Sequence, residues 1–230
     1  MAEKPSKAES SSSGAPWTVP PGNWRWVASA IAWRGVFCFS AREIRPRKMN
    51  TVQAHQEGHL GFLQPYKTEN ETFSLSSGEQ ISIQKYFLNF NLWNGVPITN
   101  TYNGKAVIDW NGEPMFAELA VLRLFRSHGW DGVWVDSYRR KFRIGLPDVA
   151  DPISLPNEKQ LLVDSLKKKT GRSGGCWDVM VWKDEHILFV ELKRRKRDKI
   201  QASQIRWLES ALSAGYSERN FALVEWDATS

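Results

Sequence analysis

Trp177-Asp178-Val179-Met180-Val181-Trp182, then Lys183-Asp184-Glu185-His186, then Ile187-Leu188-Phe189-Val190-Glu191-Leu192-Lys193: two apolar runs of strand length flank four polar residues. The pattern predicts a β-hairpin. Side chains alternate along a strand, so Asp178, Met180 and Trp182 share one face of the first arm, and Ile187, Phe189, Glu191 and Lys193 share one face of the second. A turn centred on Asp184-Glu185 sets Lys183 opposite His186 and Trp182 opposite Ile187, and the same register continued sets Asp178 opposite Glu191. Directly opposed residues hold their Cβ atoms roughly 4.5 to 5.5 Å apart, where two carboxylates repel unless a proton or a divalent cation lies between them. A hard cation such as Mg²⁺ suits one or two carboxylates, several waters and phosphate oxygens. Lys193 falls on the same face, where an ammonium can orient or help deprotonate an attacking water and steady charge on phosphoryl oxygens.

Downstream of the hairpin the pattern predicts a helix over about 199–214, ended by Gly215, and a strand at Phe221-Ala222-Leu223-Val224. Ile200, Leu208, Ala211 and Leu212 mark its inward stripe, with Gln204 in the middle and Gln201 at the border. A polar amide there needs partners, and behind the carboxylates Gln204 could hold Lys193 or a water; bonding to backbone alone is the plain alternative. Upstream, Pro114 suits the first turn of a helix running to about His128. Its apolar arc holds Ala117, Val121, Leu122, Leu124 and Phe125, and Glu118 falls inside that arc, where a carboxylate needs a cation or donors. Trp130 to Val135 reads as a strand, followed by a proline-containing excursion from about Gly145 and a helix over about 157–169. The order is α-β-β-β-α-β.

The inward Glu118, the hairpin register, Lys193 on the carboxylate face and the inward Gln204 have one common explanation, a metal-dependent phosphate site. In these features the sequence resembles the PD-(D/E)xK nuclease superfamily, an α/β class with a restriction-endonuclease-like α-β-β-β-α-β core, a mixed central sheet flanked by helices. Within it, Gly174-Gly175-Cys176-Trp177-Asp178, Phe189-Val190-Glu191-Leu192-Lys193 and Gln204-Ile205-Arg206-Trp207-Leu208 look like the VRR-NUC group, over about 114–225. The resemblance implies that Asp178, Glu191 and the Leu192 carbonyl bind Mg²⁺ or Mn²⁺, with Glu118 a further ligand directly or through water. It also implies a catalytic set of Asp178, Glu191, Lys193 and Gln204, and hydrolysis of phosphodiester bonds with DNA as the expected substrate. RNA cleavage, and a nucleic-acid-binding module that no longer cuts, are the alternatives. Trp177 stands where proline commonly precedes the Asp, and the segment 145–175 is long for the family. Pro147-Asp148 is a rival motif, but it lies in a loop-like stretch with no hairpin register towards Glu191.

The 230 residues carry 31 Lys+Arg against 25 Asp+Glu, a net charge of +6, and at 41% apolar they can build a core. The excess clusters in Lys167-Lys168-Lys169 with Arg172, and in Arg194-Arg195-Lys196-Arg197, two runs that flank the strands of the proposed site and suit a nucleic-acid backbone. A nuclear-import reading of the second run is weaker, because its neighbour Lys193 is committed to the site. The Gly-rich stretch 171–175 lacks a Gly-Lys-Ser/Thr ending and precedes a strand, so no nucleotide cofactor is expected. Cys38 and Cys176 are too few for a disulfide framework or a Cys-based zinc site, and the four histidines show no ligand pairing. No apolar run approaches the roughly 18 residues that cross a bilayer, so no membrane partner and a cytoplasmic location are expected, the nucleus left open. Three regions are expected: a flexible tail over 1–22, an aromatic-rich region of unassigned role over 23–112 with strand alternation in 81–92 and a turn at Asn103-Gly104, and the nuclease-like domain over 113–230. Monomer and homodimer are both compatible with the sequence.

Overall fold

The computed structural model describes residues 60–102, 104–171 and 174–229, all within the unit Met49–Ser230. The tail expected over 1–22, the segment 23–59 and Asn103 lie outside the described residues. The strands are β1 (Glu71–Ser74), β2 (Gln80–Leu92), β3 (Ile108–Trp110), β4 (Glu113–Met115), β5 (Asp131–Asp136), β6 (Lys141–Arg143), β7 (Val179–Lys183), β8 (His186–Arg194) and β9 (Phe221–Thr229). The helices are α1 (Ala117–Ser127), α2 (Asn157–Thr170) and α3 (Ala202–Leu212), with short 3-10 segments at Gly61–Tyr66 and Glu218–Asn220.

The β7–β8 hairpin pairs antiparallel from Lys183–His186 through Trp182–Ile187 to Val179–Val190, the register expected of an Asp184-Glu185 turn. β7 pairs antiparallel with β5, and β8 pairs parallel with β9. A parallel neighbour needs a crossover, and α3 supplies it. The sheet runs β4-β3-β2-β9-β8-β7-β5-β6, with β1 attached to β2. The fold is mixed α/β, with a mixed central sheet flanked by helices.

Alternation along β8 divides the core. Leu188, Val190 and Leu192 join Leu119, Leu122 and Phe125 of α1 on one face. Ile187 and Phe189 join Val163 and Leu166 of α2 and Trp207, Leu208 and Ala211 of α3 on the other. A strand covered on both faces reads as a continuous apolar run, as β8 does until Glu191 interrupts it.

One expectation is corrected. The helix predicted from Pro114 starts at Ala117, and Pro114 lies in edge strand β4 opposite Asp109. The cause is Asn111-Gly112, whose φ angles of 54° and 86° make the tight turn that folds β4 back on β3. The boundary expected at 113 coincides with the first residue of β4, which pairs with β3. β2 lies alongside β9 in parallel from Gln84–Ala222 to Asn91–Thr229, so its apolar residues Tyr86, Leu88 and Phe90 extend the same core. Among the described residues, no helix is long and apolar enough to cross a membrane.

Candidate functional site

The hairpin ladder ends at Val179–Val190, one pair short of Asp178 and Glu191. The Asp178 main chain stays with β5, its carbonyl accepting the Val135 N–H at 2.7 Å. Its side chain turns the other way, and Oδ2 accepts the Leu192 N–H at 2.9 Å. The carboxylate therefore takes a bond that main chain would otherwise supply, and it is fixed between two strands. Gly175 brings the chain to this point. Its φ is +96°, and a Cβ there would run into the Ser203 carbonyl in the first turn of α3. Trp177 then ties the approach down, donating its indole N–H to the Gln204 carbonyl at 3.2 Å.

Glu191 is fully buried on the α2–α3 face. Its Oε1 receives the Lys193 ammonium at 2.7 Å and the Gln204 side-chain amide N–H. The Gln204 amide oxygen accepts from Lys193 at 3.2 Å and from the Gln201 main-chain N–H at 2.8 Å, closing the N-terminus of α3. Glu191, Lys193 and Gln204 thus form a closed triangle of hydrogen bonds. Gln204 makes side-chain contacts with both site residues as well as with backbone.

Glu118 faces inward from α1 and is 7% exposed. Its Oε1 meets the Lys105 ammonium at 2.5 Å, and Lys105 also lies over the rings of Phe116 and Trp134, 5.5 and 5.2 Å from their centroids. The cation that Glu118 needs is therefore a lysine. Lys105 comes from a polar stretch without periodicity, and no sequence signal pointed to it. Nor was the neighbouring cluster foreseen, in which buried Asp136 accepts from Tyr102 Oη at 2.6 Å and Arg143 Nε at 2.9 Å. Asp136 closes the apolar strand 131–136, and that break in a buried run was the available signal.

Burial raises the Asp178 carboxyl to about 6, aided by the Glu118 charge and opposed by the Leu192 N–H, Lys105 and Lys193. Glu191 is raised well above the usual carboxylate range, first by burial and then by the Asp178 charge, against Lys193. For Lys105, burial lowers the value, but Glu118, and to a lesser degree Asp178 and Asp136, outweigh it and leave it raised. Carboxylates pushed upward in this way share a proton or attract a cation.

The other Oε2 atoms test whether a metal fits. Among the described residues those of Glu191 and Glu118 are buried without a hydrogen-bond donor, a costly state for a carboxylate that a hard cation relieves, as does a proton shared between Glu191 and Asp178. Glu191 Oε2, Asp178 and the Leu192 carbonyl could hold one, since Mg²⁺ takes only one or two carboxylates. Among the described residues, however, no group of three or more Asp, Glu, His or Cys side chains stands ready to hold a metal. Glu118, with Oε1 engaged by Lys105, fits the supporting role better than direct ligation.

Of the basic residues, Arg194 lies over Trp226 at 5.3 Å and Arg195 over Phe87 at 4.9 Å, with Arg195 also 3.7 Å from Glu225. Lys196 and Arg197 are exposed on the turn that follows. Lys167 lies 5.7 Å from the Phe142 ring, Lys169 donates to the Ser213 carbonyl at 3.2 Å, and Lys168 is exposed at the end of α2. Arg172 lies outside the described residues. Pro147 and Asp148, the rival motif, are in the loop after β6, where Asp148 accepts from the Asn100 amide at 3.4 Å. Compared with models of protein families the chain matches none, and no curated protein matches it.

Proposed function

We propose that this chain is a divalent-metal-dependent nuclease that hydrolyses phosphodiester bonds, with DNA as its substrate. The observation that carries the reading is the Glu191–Lys193–Gln204 triangle beside Asp178, with Glu191 Oε2 buried and unpartnered. The order α1-β5-β7-β8-α3-β9, with β5, β7, β8 and β9 as neighbours in the sheet, supports a restriction-endonuclease-like core carrying β6 and α2 as an insertion. The sequence resemblance to VRR-NUC nucleases supports the same assignment.

Asp178, Glu191 and the Leu192 carbonyl would hold Mg²⁺ or Mn²⁺, which when bound supplies Lewis-acid charge to phosphoryl oxygens and acidifies water. Lys193 has three N–H donors, of which Glu191 and Gln204 occupy two. Among the described residues the third has no partner, and it could orient a water or meet a phosphoryl oxygen. Gln204 fixes the Lys193 rotamer and holds Glu191 Oε1, leaving Oε2 for the cation. The exposed cations after β8 would bind the backbone without reading sequence.

The test is cleavage of single-stranded, duplex and branched DNA, and of RNA, in Mg²⁺, Mn²⁺ or chelator. Metal-dependent products should fall by at least about 100-fold in Asp178→Ala and in Lys193→Ala. Equal cleavage by both variants and the parent refutes the reading. One observation favours a second reading, a nucleic-acid-binding module that does not cut: no ready set of three ligands exists among the described residues. That reading predicts salt-dependent binding with no products in any divalent metal.

A further inference from the structure

An open cleft of about 1030 Å³ is lined by Thr99, Asn100, Thr101, Tyr102, Lys105, Tyr138, Arg139 and Asp148. Lys105 links its lining to the proposed site, since its ammonium holds Glu118 at 2.5 Å. We infer that this cleft is a subsite for an unpaired nucleotide adjoining the scissile phosphate, in DNA or RNA. The inference rests on the nuclease reading and names the form of nucleic acid that reading takes.

Two properties of the cleft support it. The first is charge. Arg139 makes no ion pair among the described residues; its guanidinium lies 3.9 Å over the Tyr102 ring and within 3.3 Å of the Asn100 amide oxygen. The stacked, forked guanidinium is held in place with donors to spare, the arrangement that suits a phosphate. Lys105 also lines the cleft, with its ammonium engaged by Glu118. The second property is the exposed aromatic. Tyr138 is 83% exposed on the turn between β5 and β6, and among the described residues its ring has no hydrogen-bond or ring partner. An aromatic face beside the Arg139 guanidinium accepts any base, but only one turned out of its helix, since a base in a duplex is already stacked on both sides. Thr99 and Thr101 offer hydroxyls, and Asp148 an acceptor, to sugar or base edges. The same cleft offers a continuous duplex no comparable use of Tyr138.

The test is fluorescence anisotropy in chelator, where nothing is cut, with labelled oligothymidine and oligouridine of about 12 nucleotides and a blunt duplex of equal length. Single strands should bind in preference to duplex. Tyr138→Ala should weaken single-strand binding roughly tenfold while Tyr138→Phe binds like the parent, and Arg139→Gln should lower the slope of log affinity against log salt by about 0.7. Preference for the deoxy or the ribo strand identifies the sugar, and either supports the subsite. Equal binding by the parent, Tyr138→Ala and Arg139→Gln, or duplex binding as tight as single-strand binding, overturns it. Melting temperatures matched to the parent keep misfolding out of the comparison. The two readings fail separately: unchanged binding alongside intact metal-dependent cleavage removes the subsite alone, and Tyr138-dependent binding without any cleavage removes the nuclease alone.

Discussion

Asp178 closes the top of the β7–β8 ladder with the same carboxyl that burial pushes up to about 6. Between its ordinary value of 3.8 and about 6, the native protein without metal keeps a proton that the unfolded chain releases. The native state then binds more protons, so this group's contribution to stability is complete below about pH 4 and is lost as pH rises through 6. Glu191, raised in the same direction, extends the loss upward. Melting curves of chelated protein should show this decline, Asp178→Asn should flatten it, and saturating Mg²⁺ should reverse it by taking the proton's place. A variant that keeps the parent's pH slope would assign the effect to other groups. The Asp136–Arg143 pair is a contrast at the same scale. Its acceptors are filled by Tyr102, by Arg143 and by the Arg139 main-chain N–H, which leaves it a structural anchor for the β5–β6 turn.

At the scale of elements, the site depends on how closely the segment leading to Asp178 passes α3. Gly175→Ala should cost at least about 1–2 kcal/mol for a left-handed alanine, with more for the displaced first turn of α3. Urea denaturation would measure that loss, and weaker divalent-cation binding should accompany it, because Gln204 sits in the displaced turn. The hairpin, α3 and inward Gln204 were legible because each breaks or keeps an apolar period: four polar residues between two apolar runs, one amide in an apolar stripe. Glu118 was legible as inward, but its partner was not, since Lys105 lies in a stretch where no period places a side chain. The start of α1 was misread because Pro114 suits a first helical turn and an edge strand equally well, and Asn111-Gly112 decided between them.

Across the molecule, β2 and β9 join residues far apart in the chain into one parallel ladder. A fragment beginning at residue 113 would leave that flank of β9 unpaired and uncover Val224 and Trp226, which pack with Leu88 and Phe90. It should show no cooperative melting by circular dichroism, while the protein from residue 49 onward should melt in one transition. The outermost strands, β4 and β6, span three residues each, short margins that offer little to a neighbouring chain. The β2–β9 seam also sets a schedule for biosynthesis. On the ribosome, β2 emerges early and must wait for a partner translated long after it, and β8 likewise lacks one neighbour until then. A nascent chain would therefore carry its acidic and basic groups past the exit tunnel in a loose, unassembled state, and the candidate site would be assembled only with the arrival of β9.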